Sequence, residues 1–181
     1  MRSYVVEHAP REASVLDLMC GPGYLLGAIA QQRPDLKLRG VDISEDFIEH
    51  AKTQCLGTFE VHDARTWNTK EQFDVVLCTA GIHHLPYGQQ SAFIERLPRL
   101  LKPTGFCIVA DPLLPDYSNE LERKQSAAKL GYEYLQATLA TDPPAEIVTA
   151  ALDILYDDVQ GDEWKTSLEK LLPSYKPHFN K

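Results

Sequence analysis

Val15-Leu16-Asp17-Leu18-Met19-Cys20-Gly21-Pro22-Gly23-Tyr24-Leu25-Leu26 decides how the rest of the chain is read. Val15, Leu16 and Leu18 have the composition of a short buried strand, and Gly21-Pro22-Gly23 is a turn. Leu25, Leu26, Ile29 and Ala30 then fall at helical spacing. A strand that feeds a helix through a glycine turn sets backbone N–H groups at the C-terminal edge of a sheet. Open α/β sheets hold their ligands there. An ordinary βα turn without a ligand reads the same way from these residues alone, so the choice passes to what surrounds them.

Downstream, Leu36–Val41 alternates as a half-buried strand stopping at Asp42, and Ser44 caps a helix Glu45–Gln54 with Phe47, Ile48 and Ala51 on its inner face. Thr58–His62 and the nearly continuous apolar run Phe73–Cys78 read as further strands. A helix is expected over Ser91–Leu101, disturbed by Pro98, then a turn at Lys102-Pro103-Thr104-Gly105 and a fifth strand Phe106–Ala110. Upstream, Tyr4-Val5-Val6 fits a short helix before Pro10, and the helix from Tyr24 is expected to end near Arg33-Pro34. Strands alternating with helices in this way predict an α/β fold, a Rossmann-like doubly wound parallel sheet with five strands visible. Past Pro115 the pattern turns helical. Asn119–Ala140 suits one long helix, Asp142-Pro143-Pro144 breaks it, and a second helix follows through Ile147, Ala151, Ile154 and Leu155. A turn is expected at Asp157–Gly161, then a last helix Trp164–Leu172. The expected organisation is one domain over 1–181: an α/β core at 14–112, a helical extension at 113–172 and a tail at 173–181.

The 181 residues are enough for one domain with a real core. A net charge of −8 argues against nucleic acid as the main partner, since phosphate binding needs a basic surface. Cys20, Cys55, Cys78 and Cys107 are scattered and show no zinc spacing, so they read as free thiols in a reducing compartment. With no apolar signal core at the N-terminus and no run of membrane-spanning length, no membrane is expected and the location is read as cytoplasmic.

A nucleoside-bearing cofactor would use this arrangement in a definite way. Its charged tail wants donors at a glycine turn, supplied by Cys20, Gly21, Pro22 and Gly23 as a group. Its ribose diol wants a carboxylate at the end of the next strand, and Asp42 follows Gly23 at about the expected 20-residue interval. An adenine amino group wants an acceptor at the end of the third strand, where Asp63 stands. Each Asp alone also fits a cap or turn. The nicotinamide fingerprint needs a third glycine where this chain has Leu26, which counts against that class.

Val15–Gly23, Val41-Asp42-Ile43-Ser44, His62-Asp63-Ala64, Phe73-Asp74-Val75-Val76 through Ile82-His83-His84-Leu85, and Leu101-Lys102-Pro103-Thr104-Gly105 together resemble the successive motifs of the class I S-adenosylmethionine-dependent methyltransferases. The resemblance runs from about Val15 to Asp111. It implies S-adenosyl-L-methionine as cofactor, with Asp17 orienting the glycine turn or meeting the cofactor's ammonium. It also implies Asp42 on the ribose, Ile43 and Phe47 flanking the adenine, Asp63 and Ala64 facing its amino group, and Cys78, Thr79 and Ala80 near the sulfonium. Phe47 also fits a core position. The family usually has a small residue where this chain has Met19, so a side chain there would crowd the methionine end.

Methyl transfer to a small-molecule acceptor is an in-line displacement from an activated sulfonium, so positioning and exclusion of water come first. A base is required only where the acceptor must lose a proton, and His83 and His84 stand at the right place in the motif. A pair that simply caps its loop reads the same way. No metal-ligand arrangement is read from the sequence. The alternative function is a cofactor-binding but inactive regulatory or partner subunit. Family members usually have a helical lid before the first strand and two strands after the fifth, and the expectation here is a shortened chain. The fifth strand then needs cover from the C-terminal helices or from a homodimer partner. Tyr117, Tyr132 and Tyr134 are the candidate acceptor contacts.

Overall fold

The computed structural model describes residues 1–160 and 163–179. Two compact units divide the chain: Met1–Gly81 with Glu95–Asp111, and Ile82–Ile94 with Pro112–Lys181.

The first unit contains α1 (Arg2–His8), β1 (Ser14–Leu18), α2 (Tyr24–Ala30), β2 (Lys37–Asp42), α3 (Glu45–Gln54), β3 (Thr58–Val61), β4 (Phe73–Thr79) and β5 (Leu101–Ala110). The strands form one sheet in the order β3-β2-β1-β4-β5, with every pair parallel. The order reverses beside β1, which has β2 on one side and β4 on the other. That reversal is where a doubly wound sheet opens a crevice at its C-terminal edge. Register brings the strand ends level: Leu18 lies beside Val41 and Cys78, and Asp42 beside Val61. Val15, Leu38, Val75 and Leu77 meet Leu26, Ile29 and Ile48 in the core on one face.

Capping explains the boundaries of α3. Ser44 Oγ accepts from Phe47 N–H, and Glu45 and Asp46 in the first turn favour the helix dipole. The face expected of this helix needs one correction, because Ile48 and Ala51 are buried while Phe47 is 48% exposed. α2 stops at Ala30, short of the expected Arg33. The Arg33 guanidinium instead donates to the carbonyls of Val6, Ala9 and Pro10 and pairs with Asp35, tying down the end of α1.

The fifth strand also starts earlier than expected. Lys102-Pro103-Thr104-Gly105 is not a separate turn but an irregular stretch of β5, lying between the pairs Phe73–Leu101 and Val75–Phe106. Lys102 Nζ donates to Asp74 Oδ2 at 2.7 Å. A Cβ on Gly105 would come within 2.8 Å of the Phe73 carbonyl, so only glycine passes there. β5 is an edge strand, half-buried from Phe106 on, and the Tyr4 ring of α1 packs edge-on against Phe106 with centroids 5.4 Å apart.

The second unit contains a 3-10 turn at Ile82–His84, α4 (Tyr87–Ile94), α5 (Glu120–Leu139), α6 (Ala145–Gln160) and α7 (Leu168–Tyr175). The helix expected at Ser91–Leu101 begins at Tyr87 and ends at Ile94. The first unit then supplies a 3-10 turn at Leu97–Leu100, where Pro98 forbids a continuous α-helix. Asn119 Oδ1 caps α5 by accepting from Glu122 N–H at 3.0 Å. A Cβ on Gly131 would meet Leu155 Cδ1 at 2.8 Å, so glycine sets how closely α5 and α6 pack.

The turn expected at Asp157–Gly161 is overturned up to Gln160, because α6 runs on through Asp158; Gly161 lies outside the described residues. The Asp158 carboxylate is buried and paired with Lys165, so it has no need to break the helix to reach water. The last helix starts at Leu168, not Trp164, because Ser167 Oγ caps it by accepting from Lys170 N–H. Residues 164–166 are outside any helix, and Thr166 O accepts from Leu114 N–H at 2.9 Å. Among the described residues no helix is long and apolar enough to cross a membrane.

Candidate active site

Asp17 is the unusual residue of the first unit. It lies one place before the end of β1 and is 1% exposed. Its Oδ1 is buried and receives no hydrogen bond from the described residues. Burial first, and the neighbouring Asp42 carboxylate second, push its pKa up to about 7. At the end of β2, Asp42 is fully engaged by backbone. Its Oδ2 accepts from Gly21 N–H at 2.8 Å and its Oδ1 from Ser44 N–H at 2.9 Å. Those bonds fix the carboxylate plane and leave each oxygen a second lone pair for a ligand.

The expectation that the glycine turn offers spare N–H donors is corrected. Cys20 N–H donates to Val41 O and Gly23 N–H to Cys20 O, both at 3.1 Å, Gly21 N–H is held by Asp42, and Pro22 has none. Recognition of a charged tail at this turn therefore passes to side chains. Gly21 has φ +53° and nothing within 4 Å of where a Cβ would stand, so its face is open. Gly23, at φ +78°, would drive a Cβ to 2.7 Å from Ala51 Cβ, so it serves the approach of the turn to α3.

Met19 takes a left-handed backbone, φ +59°, uncommon for an unbranched long side chain. Its sulfur fills the place beside Gly81: a Cβ there would be 2.7 Å from Met19 Sδ and 3.2 Å from Cys78 Sγ. Ile43, 68% exposed, and Phe47 leave apolar surface uncovered just beyond Asp42. Asp63 follows β3, but its carboxylate is gripped by the Arg65 side chain and backbone, which hold its pKa below the ordinary range. Ala64 is buried, and its carbonyl accepts from Arg96 Nη1 at 3.1 Å. Arg96 also donates to the carbonyls of Arg65 and Trp67, bracing the whole loop. At the end of β4, Cys78 is buried and its thiol pKa is pushed well up by burial, then by Asp17 and Asp111, so it stays neutral. Thr79 is half-buried, and Ala80, at φ +50°, donates its N–H to Ala110 O at 2.7 Å.

His83 and His84 belong to the second unit, where they meet a residue the sequence did not single out, Glu163. His84 Nδ1 lies 3.0 Å from Glu163 Oε1, and His83 Nε2 lies 3.2 Å from Glu163 Oε2. Trp164 N–H donates to His83 O at 2.7 Å, holding the two segments together. Burial works to raise the Glu163 pKa, and the His84 hydrogen bond with the charges of both histidines outweighs it, leaving the carboxyl below its ordinary range. Tyr117 bonds Thr166 Oγ1 at 3.1 Å, while Tyr132 and Tyr134 are exposed on α5.

The family description "methyltransferase domain" matches residues 15–105, half of the chain. The chain belongs to the class I S-adenosylmethionine-dependent methyltransferases. Among curated proteins, the trans-aconitate 2-methyltransferase of Streptomyces avermitilis is 28% identical over 185 residues, 95% of this chain and 67% of that enzyme. Its namesake from Escherichia coli is 28% identical over 92% of this chain and 64% of its own. The methyltransferase chain thus spans about two thirds of the length of these relatives. Among solved structures, the plantazolicin methyltransferase BpumL in complex with SAH shares the fold with TM-score 0.66 and 19% identity, covering 97% of this chain and 60% of BpumL. The sugar N-methyltransferase KedS8 from Streptoalloteichus has TM-score 0.54 and 23% identity over 65% of this chain and 49% of its own.

The methyltransferase cofactor carries an ammonium and a ribose diol, and the first unit sets the Asp17 and Asp42 carboxylates at or one place before the C-terminal ends of β1 and β2. The decisive fit is the buried Asp17 oxygen that no described residue satisfies, beside the oriented Asp42 carboxylate.

Proposed function

We propose that this chain transfers a methyl group from S-adenosylmethionine to a small-molecule acceptor, and that the cofactor is held at the C-terminal ends of β1 to β4. Burying a carboxylate that its surroundings leave unsatisfied costs stability, and a cationic ligand recovers it. Asp17 is that carboxylate, and the reading rests on it. In this reading Asp17 meets the ammonium and Asp42 accepts from the ribose hydroxyls. Ile43 and Phe47 cover the adenine faces, and Asp63 with Ala64 lies along its amino edge. Met19, Cys20, Gly21, Pro22 and Gly23 shape the turn beneath the tail, while Cys78, Thr79 and Ala80 floor the reacting end. The bound cofactor supplies a methyl group already activated on sulfonium sulfur. What remains for the protein is alignment of the acceptor and exclusion of water.

Acceptor chemistry decides the role of the histidines. A carboxylate acceptor is already ionised and needs no base; a hydroxyl or ammonium acceptor must lose a proton, and His83 or His84 is then the proton acceptor. Because the relatives act, by name, on trans-aconitate, polycarboxylates are the first acceptors to try. Titration calorimetry with S-adenosylhomocysteine tests the cofactor half of the proposal. Saturable binding is expected, weakened at least tenfold in Asp42→Ala. An absence of heat, or unchanged affinity in that variant, overturns it.

A further inference from the structure

His83, His84 and Glu163 offer three ligand atoms of the kind borderline metals take: two imidazole nitrogens and one carboxylate oxygen. All lie within 4.8 Å of one another. We propose that these three residues form a binding site for a divalent transition-metal ion of the zinc type; the site does not rest on the cofactor reading above, and an ion in it takes the ligating nitrogens of both histidines out of the proton-acceptor role.

Spacing supports the assignment first. Ligands about 2.0–2.2 Å from a tetrahedral zinc stand about 3.3 Å from each other. His84 Nδ1 is 3.0 Å from Glu163 Oε1, and His83 Nε2 is 3.2 Å from Glu163 Oε2. These two distances run to the two oxygens of one carboxylate, and with one ligand atom from each residue the set spans no more than 4.8 Å, so a small turn of the carboxylate and rings brings all three round an ion. Spare capacity supports it second. At 3.2 Å from the His83 nitrogen, Glu163 Oε2 is buried and receives no hydrogen bond from the described residues, while Oε1 is hydrogen-bonded with His84 Nδ1. One carboxylate oxygen beside both rings is therefore left with capacity for an ion. The rings themselves are tilted by 41° with centroids 4.1 Å apart, not stacked.

Local charge supports it third. Asp158 and Lys165 are both buried close to the cluster, and the Asp158 carboxylate acts on Glu163 and His83 through space. Metal ligation needs both imidazoles neutral, and among the described residues the Asp158 and Glu163 carboxylates then outnumber the Lys165 ammonium. Asp158 Oδ2 is likewise buried and unsatisfied among the described residues. The backbone is already set for ligation, because Trp164 N–H donates to His83 O and joins the 3-10 turn to the segment carrying Glu163. An ion here would staple residues 83 and 163, far apart in sequence, and keep a fourth position for water or an anionic ligand.

Stripping the full chain with chelator and titrating it with zinc chloride by calorimetry tests the proposal, with zinc content after dialysis measured by elemental analysis. The expected result is about one equivalent per chain. At least a hundredfold weaker binding is expected in Glu163→Gln and in His83→Ala, and a rise in melting temperature with zinc that both variants lose. Cobalt(II) in place of zinc gives a visible absorption band that reports low coordination number. Circular dichroism checks that the variants fold. His84→Ala removes a half-exposed ligand and keeps the test open should His83→Ala unfold the protein. No saturable binding, or binding as strong in His84→Ala and Glu163→Gln as in the parent, overturns the site and leaves zinc on scattered surface histidines.

Discussion

Each of the two units buries a carboxylate, and each treats it differently. Asp158 in the second unit lies inside α6 with Lys165 as its dedicated counter-charge, both almost wholly buried. Each carboxylate keeps one oxygen that no described residue satisfies, but Asp17 in the first unit has no cation of its own among the described residues and a second carboxylate nearby. An internal pair is a structural solution, closed within its unit. A lone buried acid at a sheet edge is an expense the fold carries for something that arrives from outside. The missing counter-charge is what the proposed cofactor ammonium would supply to the first unit.

The largest effect should come from breaking the closed pair. Lys165→Met leaves Asp158 buried beside Glu163 with no ammonium, and about 3–5 kcal/mol of stability should be lost. Urea unfolding at pH 8 measures this loss. Replacing both members, Asp158→Leu with Lys165→Met, should restore most of it, because two apolar groups leave no stranded charge. A double variant as unstable as the single one would mean the pair does more than neutralise itself.

Asp17→Asn should act in the opposite direction. The folded pKa of about 7 lies above the ordinary carboxylate value of 3.8. At pH 3 and below the acid is largely protonated in both folded and unfolded chains and costs almost nothing. As pH rises towards 7 the unfolded chain gives up its proton first, so stability falls across that window. A gap of about three units corresponds to about 4 kcal/mol as an upper bound. An amide at this position carries no such penalty, so Asp17→Asn should be more stable than the parent at pH 8, equal to it near pH 3, and nearly blind to S-adenosylhomocysteine. Cofactor binding to the parent near pH 7 should also release protons, read as a heat that depends on the buffer's own ionisation enthalpy. Unchanged stability at both pH values would remove the basis for calling Asp17 poised.

The glycine turn sharpens the same comparison at smaller scale. Gly23→Ala must push a methyl into Ala51 and hold alanine at φ +78°, which should cost about 2–4 kcal/mol. Gly21→Ala meets no atom and bears only the backbone penalty, about 1–2 kcal/mol. Thermal or urea unfolding ranks the two. Equal losses would show that the approach of the turn to α3 contributes nothing.

How much of this was legible beforehand follows the physics of each region. The first unit is made of short strands closing on glycines and aspartates, and such punctuation is local, so β1 to β4 and the positions of Asp17, Asp42 and Asp63 could be read from the chain. What a carboxylate already holds could not be read. Asp42 is occupied by Gly21 and Ser44, and Asp63 by Arg65, through bonds that depend on loop geometry. Arg96 reaches its carbonyls across about 30 residues, with no sequence pattern to announce it. In the second unit two features escape the sequence for one cause. Asp157-Asp158 looked like a turn because two acids rarely continue a buried helix, and only the distant Lys165 makes that tolerable. Glu163 was invisible for the same reason, since its partners stand far back in the chain at His83 and His84.

Met19 gives the finest test, because its two effects on stability nearly cancel. Met19→Gly relieves a non-glycine residue at φ +59°, a gain of about 1–3 kcal/mol. Against this stand the packing of the thioether beside Gly81 and the added freedom of glycine in the unfolded chain, together of similar size. Unfolding stability should therefore move by no more than about 1 kcal/mol. Affinity has no such compensation. If the thioether stands in the space the cofactor's methionine end needs, Met19→Gly should bind S-adenosylhomocysteine several-fold tighter, about 1 kcal/mol. Should affinity fall instead, the side chain packs on the ligand, and Met19 is a wall of the site, not an obstruction in it.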